Sequence, residues 1–352
     1  MVGTWKLDQS CEQYLDTIQW AFADAQTLAE HAQAALEGAL KPRPKNRKGN
    51  IKNWDRVARS IKVMFGFLPD SKNGNKKKDE NWEQVFQVFD LMVKGLQGEA
   101  LRHGKRDPII VCNDKVWGWF GPDEVDPTLP DDITEGNKMK DRYPKKFAKG
   151  YVGAYYWNGR WDWRKKKNAD APASACDEES TALAETAPGL DMMQLCERFF
   201  KPEFSKRKVI PALQTTETDD SLHNLGDPAT TLVHELAHWY GATKGRVPVP
   251  DQTCRDQDGK FIYKDKTTGE EVLLSEPPKA PQTESCRERR STDSISDGFK
   301  HLQNLSLKGG PKESTRTADA YSVFSMMAFL NKWDWSQDGK ARGIKYEAGA
   351  PS

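Results

Sequence analysis

The sequence has no Cys-x-x-Cys pair, no internal repeat and no apolar run approaching the length of a membrane span. Its longest late apolar stretch, Tyr321 to Leu330, falls far short of the roughly 20 residues that a bilayer requires. Charge of either sign is not in excess: 53 Lys and Arg face 52 Asp and Glu, for a formal net charge of +1. Neither nucleic acid nor an anionic membrane is therefore expected as a partner. Histidine is scarce, with six in the chain. The opening residues, MVGTWKLDQSC, lack the apolar core of a signal peptide, so any such leader is expected to be absent from this chain.

What is present suits a globular protein. Hydrophobic residues make up 37% of the 352, and 12 tryptophans supply aromatic mass for a core. The length fits a single domain over 1–352, with an N-terminal lobe of about 1–240 and a C-terminal lobe of about 241–335. Six cysteines stand far apart, at 11, 112, 176, 196, 254 and 286. The even number and wide spacing suit three disulfides in a secreted protein; six buried thiols in a cytosolic protein are the alternative. Pairing sequence neighbours late in the chain gives Cys176–Cys196 and Cys254–Cys286, which leaves Cys11–Cys112. Asn304-Leu305-Ser306 matches a glycosylation sequon, a triplet that often arises by chance.

Apolar residues at helical spacing predict one long helix from about Gln9 to Leu40, ended by Pro42 and Pro44. Further helices are expected near Trp54–Phe65, Trp82–Leu101, Ile295–Leu305 and Ala318–Leu330. PIIVCND reads as a buried strand, and KGYVGAYYWNGRWDW as a hairpin turning at Asn158-Gly159. The stretch Lys165 to Pro188 reads as a loop, and the tail after Trp335 as loosely held. A polar insert at 247–290 contains a small hairpin around Thr267-Thr268-Gly269, and a Cys254–Cys286 bridge would staple it.

The chemistry concentrates in DPATTLVHELAHWYGATKG, residues 227–245. Asp227-Pro228 is a strong helix start and Gly241 a natural stop. Between them the helix is apolar nearly all round, which marks a buried helix. His234 and His238 stand at i and i+4, on one face, where two imidazoles can reach one ion. Glu235 sits beside them, placed to take a proton from water that the ion activates. Burying an ionised Glu costs several kcal/mol without a partner, and a metal cation is such a partner. One zinc ion is the expected cofactor.

LVHELAH, together with LCERFF upstream and TADAYSVFSMMAFL downstream, resembles the secreted fungal zinc endopeptidases of the deuterolysin type, the aspzincins. The resemblance is best from about Met192 to Leu330. It implies an α+β, zincin-like fold: a small twisted sheet whose edge strand holds substrate, a metal-binding helix and a helical lower lobe. It also implies a third zinc ligand from an Asp in a Gly-Thr-x-Asp-x-x-Tyr-Gly segment, which this chain lacks. Asp293, in RRSTDSISDGF, is the leading counterpart; Asp251 and Asp319 are alternatives. If Asp293 is the ligand, the insert has grown between the metal helix and that residue. Asp319, in TADAY, matches the family's substrate-side Asp, which is associated with Lys or Arg on the primed side of the scissile bond. The family's tyrosine is replaced by Asp297, and Tyr240, Tyr155 or Tyr156 could take its place unless each simply packs the core.

The expected function is thus a secreted, monomeric zinc endopeptidase acting on protein or peptide substrates. Glu235 is its general base, with Asp319 and Tyr155 on the substrate side. A zinc-binding secreted effector that has lost hydrolysis on the same fold is the alternative.

Overall fold

The computed structural model describes residues 2–73, 79–99, 106–113, 115–130, 137–165, 176, 182–242, 249–253, 255–265, 271–276, 283–285 and 295–345. Its helices are α1 (Leu15–Leu40), α2 (Lys48–Phe65), α3 (Glu80–Leu96), α4 (Met139–Arg142), α5 (Pro144–Ala148), α6 (Val209–Thr215), α7 (Pro228–Gly241), α8 (Ile295–Asn304), α9 (Pro311–Ser314) and α10 (Ala318–Phe329). The strands are β1 (Lys6–Leu7), β2 (Ile109–Val111), β3 (Gly118–Phe120), β4 (Tyr151–Trp157), β5 (Arg160–Lys165), β6 (Ala184–Ala187), β7 (Met192–Leu195), β8 (Phe261–Asp265), β9 (Glu271–Leu274) and β10 (Thr283–Ser285). The architecture is mixed, rich in helix with three small sheets, as an α+β reading requires.

Helix α1 is the centre of the helical layer. Its buried stripe, Ile18, Ala21, Phe22, Ala25, Leu28, Ala29, Ala32 and Leu36, is half alanine. Small side chains let neighbouring helices come close, and α3, α7, α10 and α2 all pack on α1. The helix predicted from Gln9 opens instead with a 3-10 turn, Gln9–Tyr14, whose N-cap Asp8 accepts from the Ser10 amide. A disulfide between Cys11 in this turn and Cys112 after β2 closes a loop of sequence separation 101. On the chain-entropy account, a loop of that size contributes about 4–5 kcal/mol. Cys176–Cys196 is formed as expected, and the expected Cys254–Cys286 pair lies outside the described residues.

The four-stranded sheet runs in the order β1-β2-β7-β6. Three strands are parallel, and β6 lies antiparallel at the edge against β7. This edge strand is also the element that packs against α7. It falls inside the stretch 165–188 that reads as a loop in sequence. Its four residues, Ala-Glu-Thr-Ala, carry too little apolar mass to signal a strand, and pairing with the fully buried β7 creates it. The hairpin of β4 and β5 is as expected, with Asn158 and Gly159 both at positive φ (43° and 76°) in the turn, and β3 adds to its other side. In the insert, β8 pairs antiparallel with β9 as a hairpin, and β10 pairs on the other side of β8; the turn residues 267–269 lie outside the described residues.

The described part of the tail, to residue 345, is held rather than loose. Trp335 is fully buried and its indole donates to the Leu330 carbonyl. Backbone bonds from Asp219 to Ala341 and from Leu222 to Gly339 clamp the tail onto the segment that leads into α7. The sequon residue Asn304 ends α8, and its side-chain amide donates to the Arg255 carbonyl; Ser306 is buried.

One carboxylate starts two helices. Asp227 Oδ1 accepts from the amides of Ala229 and Thr230 in α7, at 3.0 and 3.2 Å. Its Oδ2 accepts from Lys208 and Val209 at the start of α6, at 2.9 and 3.1 Å. Thr230 completes a capping box by accepting from the Asp227 amide. Replacing a single N-cap costs about 1–2 kcal/mol. Asp227→Ala is therefore expected to lower the unfolding free energy, measured in urea, by about 2–4 kcal/mol, roughly twice a single cap. A loss below that of one cap would show that the carboxylate does not serve both helices.

Candidate metal centre

Two of the candidate ligands stand on α7, whose residues from Pro228 to Gly241 are buried except for Thr231. His234 is 7% exposed, Glu235 2% and His238 9%. The i, i+4 spacing brings the two rings together: His234 Nε2 and His238 Nε2 are 3.0 Å apart.

The protons on these rings follow from what faces their other nitrogens. His238 Nδ1 is 2.5 Å from the Val249 carbonyl oxygen, which can only accept, so Nδ1 is the donor. His234 Nδ1 is 2.7 Å from Asp319 Oδ1, which by the same logic accepts from it. In the neutral rings both Nε2 atoms are then bare lone pairs pointed at one another. Two lone pairs at that distance repel unless a proton is shared between them or a metal cation binds both.

A carboxylate completes the group. Asp251 Oδ1 is 3.3 Å from His234 Nε2, and its Oδ2 is 3.3 Å from His238 Nε2. Bonds of about 2.0–2.1 Å to a tetrahedral ion separate its ligand atoms by about 3.3 Å. The ring nitrogens, 3.0 Å apart, approach that spacing; Asp251 meets each ring with a different oxygen, and one ligand atom from each of the three side chains lies within 4.8 Å of the others. Among the described residues, His234, His238 and Asp251 are the one group of three such side chains close enough to hold a metal ion. The donor set is two imidazoles and one carboxylate.

Glu235 stands beside this face rather than in it. Its Oε1 is 3.9 Å from His234 Nε2, and its Oε2 is buried with no hydrogen-bond partner among the described residues. A buried carboxylate oxygen in that state is costly unless the site brings it a proton donor or a cation.

The other candidate residues fall in different places. Asp293, the leading third ligand in sequence, lies outside the described residues, as does the side chain of Asp297. Asp319 sits in the first turn of α10, on the far side of the His234 ring from the ligand face. Tyr155 lies in the β3-β4-β5 sheet, against Trp119 and in a small cluster with Val111, Trp117 and Met192. Tyr156 packs on Trp161 in the same sheet. Tyr240 is fully buried at the opposite side of α7: a Cβ added at Gly95 would meet its hydroxyl, and burial pushes its pKa well up. That position is core packing.

Gly241 does more than end a helix. Its φ is ordinary, but a Cβ there would stand 2.4 Å from Val249 Cγ2. The missing side chain lets the returning chain lie against α7, which brings the Val249 carbonyl to His238 and Asp251 to the ligand face. Val-Pro-Asp begins eight positions after this glycine in the sequence.

Burial disfavours a charged His238, but the hydrogen bond and charge of Asp251, then Glu235 and the Val249 carbonyl, outweigh it and hold its pKa above the ordinary 6.5. In the metal-free chain this group contributes stability that is present below its unfolded pKa and lost as pH rises through the higher folded value. The environment that favours a proton is equally suited to a metal cation, and the two compete for one lone pair.

Comparisons with protein-family models and with curated proteins find no match for this chain. No helix among the described residues is long and apolar enough to cross a membrane.

Two outcomes check this centre. Asp251→Ala should abolish stoichiometric metal uptake measured by elemental analysis, while Asp293→Ala should leave it intact; the reverse pattern would move the third ligand to Asp293. Zinc affinity measured by chelator competition should weaken on acidification from a pH above 6.5, because the raised His238 takes up its proton there, by about tenfold per pH unit for each proton displaced. An affinity flat down to pH 5 would exclude His238 as a ligand.

Proposed function

We propose that this chain is a secreted zinc-dependent endopeptidase with a zincin-like fold. The observation that carries the reading is the convergence of the two imidazole Nε2 atoms and the Asp251 carboxylate within reach of one ion, with Glu235 Oε2, which has no hydrogen-bond partner among the described residues, beside them. Nitrogen and oxygen ligands in a set of three, leaving one tetrahedral position open, suit catalytic zinc. When bound, zinc supplies Lewis acidity toward a carbonyl and makes water a nucleophile near neutral pH.

The chain's own groups account for the rest. His234, His238 and Asp251 hold the ion. Glu235 takes the proton from the attacking water and passes it to the leaving amine, which is the work of a general base turned general acid. The antiparallel edge strand β6, packed against α7, offers backbone groups on which an extended peptide can pair. The two disulfides in the described residues fit an oxidising, extracellular setting.

A second reading, a secreted zinc protein that binds a partner without cutting it, is favoured by one observation. Tyr240 is turned away from the ligand face, so it supplies no oxyanion donor there.

Hydrolysis of a denatured protein by wild type and by Glu235→Gln separates the two. The variant should keep stoichiometric zinc and lose about 10²–10⁴ in rate, the usual contribution of a positioned base. Equal rates in both, or zinc-loaded wild type without hydrolysis, would overturn the peptidase reading, and the latter result favours the binding reading.

A further inference from the structure

We propose that Asp319 is the positioning residue of the metal centre, its carboxylate fixing the His234 ring so that Nε2 faces the ion, rather than a determinant of substrate specificity. This rests on the metal reading above. Asp319 Oδ1 lies 2.7 Å from His234 Nδ1, and the ring it holds is almost wholly buried. Only one of the two ring nitrogens can carry the proton in the neutral imidazole, and a carboxylate at Nδ1 decides which.

The placement has a cause in the packing. Helices α7 and α10 run against each other, and Ser322 Oγ donates to the Thr230 carbonyl at 2.8 Å. Thr230 and His234 are one turn apart on α7; Ser322 and Asp319 are one turn apart on α10. The Ser322–Thr230 rung therefore sets the register that delivers Asp319 to His234. The first turn of α10 adds a partial positive charge that favours the ionised carboxylate.

The two ligand imidazoles are then held by different acceptors. His238 donates to a backbone carbonyl, and His234 to a carboxylate. A charged acceptor makes the opposite nitrogen the more basic ligand, so His234 is the stronger of the two donors.

The test measures zinc affinity of the full chain by chelator competition for wild type, D319N and D319E, with thermal melts of the zinc-free proteins. D319N should bind zinc about 10- to 100-fold more weakly, the usual loss when an outer partner of a ligand histidine is removed. D319E should recover part of that loss, and the zinc-free melting temperatures should agree. Zinc-binding wild type with D319N within twofold of it would overturn this assignment alone, and loss of cleavage before lysine in that variant would place Asp319 on the substrate side. A weaker affinity that D319E does not recover, in step with a lower zinc-free melting temperature, would assign Asp319 to helix packing instead. Wild type that takes up no zinc would overturn the metal reading, and this assignment with it.

Discussion

Two imidazole lone pairs held 3.0 Å apart inside a buried helix are the constraint around which this molecule is arranged. Left to themselves they would separate. The fold prevents this by occupying both outer nitrogens, one with a carbonyl and one with a carboxylate, so neither ring can turn away. Asp251 meets both rings, with Glu235 and Asp319 beside His234, and together His234, His238 and Asp251 form a group that could hold a metal ion. A proton on His238, whose pKa is held above the ordinary value, and a metal cation are alternative occupants of the space between the rings.

Much of this was legible in the sequence. The i, i+4 histidines, the Asp-Pro start and the all-round apolar face of residues 228–241 report local helix physics, and local physics survives into the structure. The hairpin at Asn158-Gly159 was legible for the same reason, since its turn needs positive φ at two successive residues. What the sequence conceals is long-range. Strand β6 exists because β7 lies beside it, and nothing in Ala-Glu-Thr-Ala announces that. The 3-10 opening of the first helix and the docked tail likewise depend on partners far along the chain.

The third ligand shows the limit most clearly. A motif comparison favours Asp293 because its neighbours resemble a family segment, whereas the geometry among the described residues brings in Asp251. What brings Asp251 to the histidines is a steric vacancy on Gly241, which is visible only when Val249 is seen lying against it. Asp319, expected from the sequence on the substrate side, lies 2.7 Å from His234 Nδ1, in a register that the Ser322–Thr230 bond between two helices helps set.

The close return at Gly241 also sets how the chain can vary. With Asp251 as third ligand, His234 to Asp251 is one uninterrupted stretch, and the hairpin that carries β8 and β9 begins only after it. That appendage is anchored at its base by the Arg255–Glu313 ion pair, in which both guanidinium contacts to the carboxylate are short. Insertions beyond the anchor would thus leave the stretch from His234 to Asp251 and its contacts in place while the outer surface diversifies.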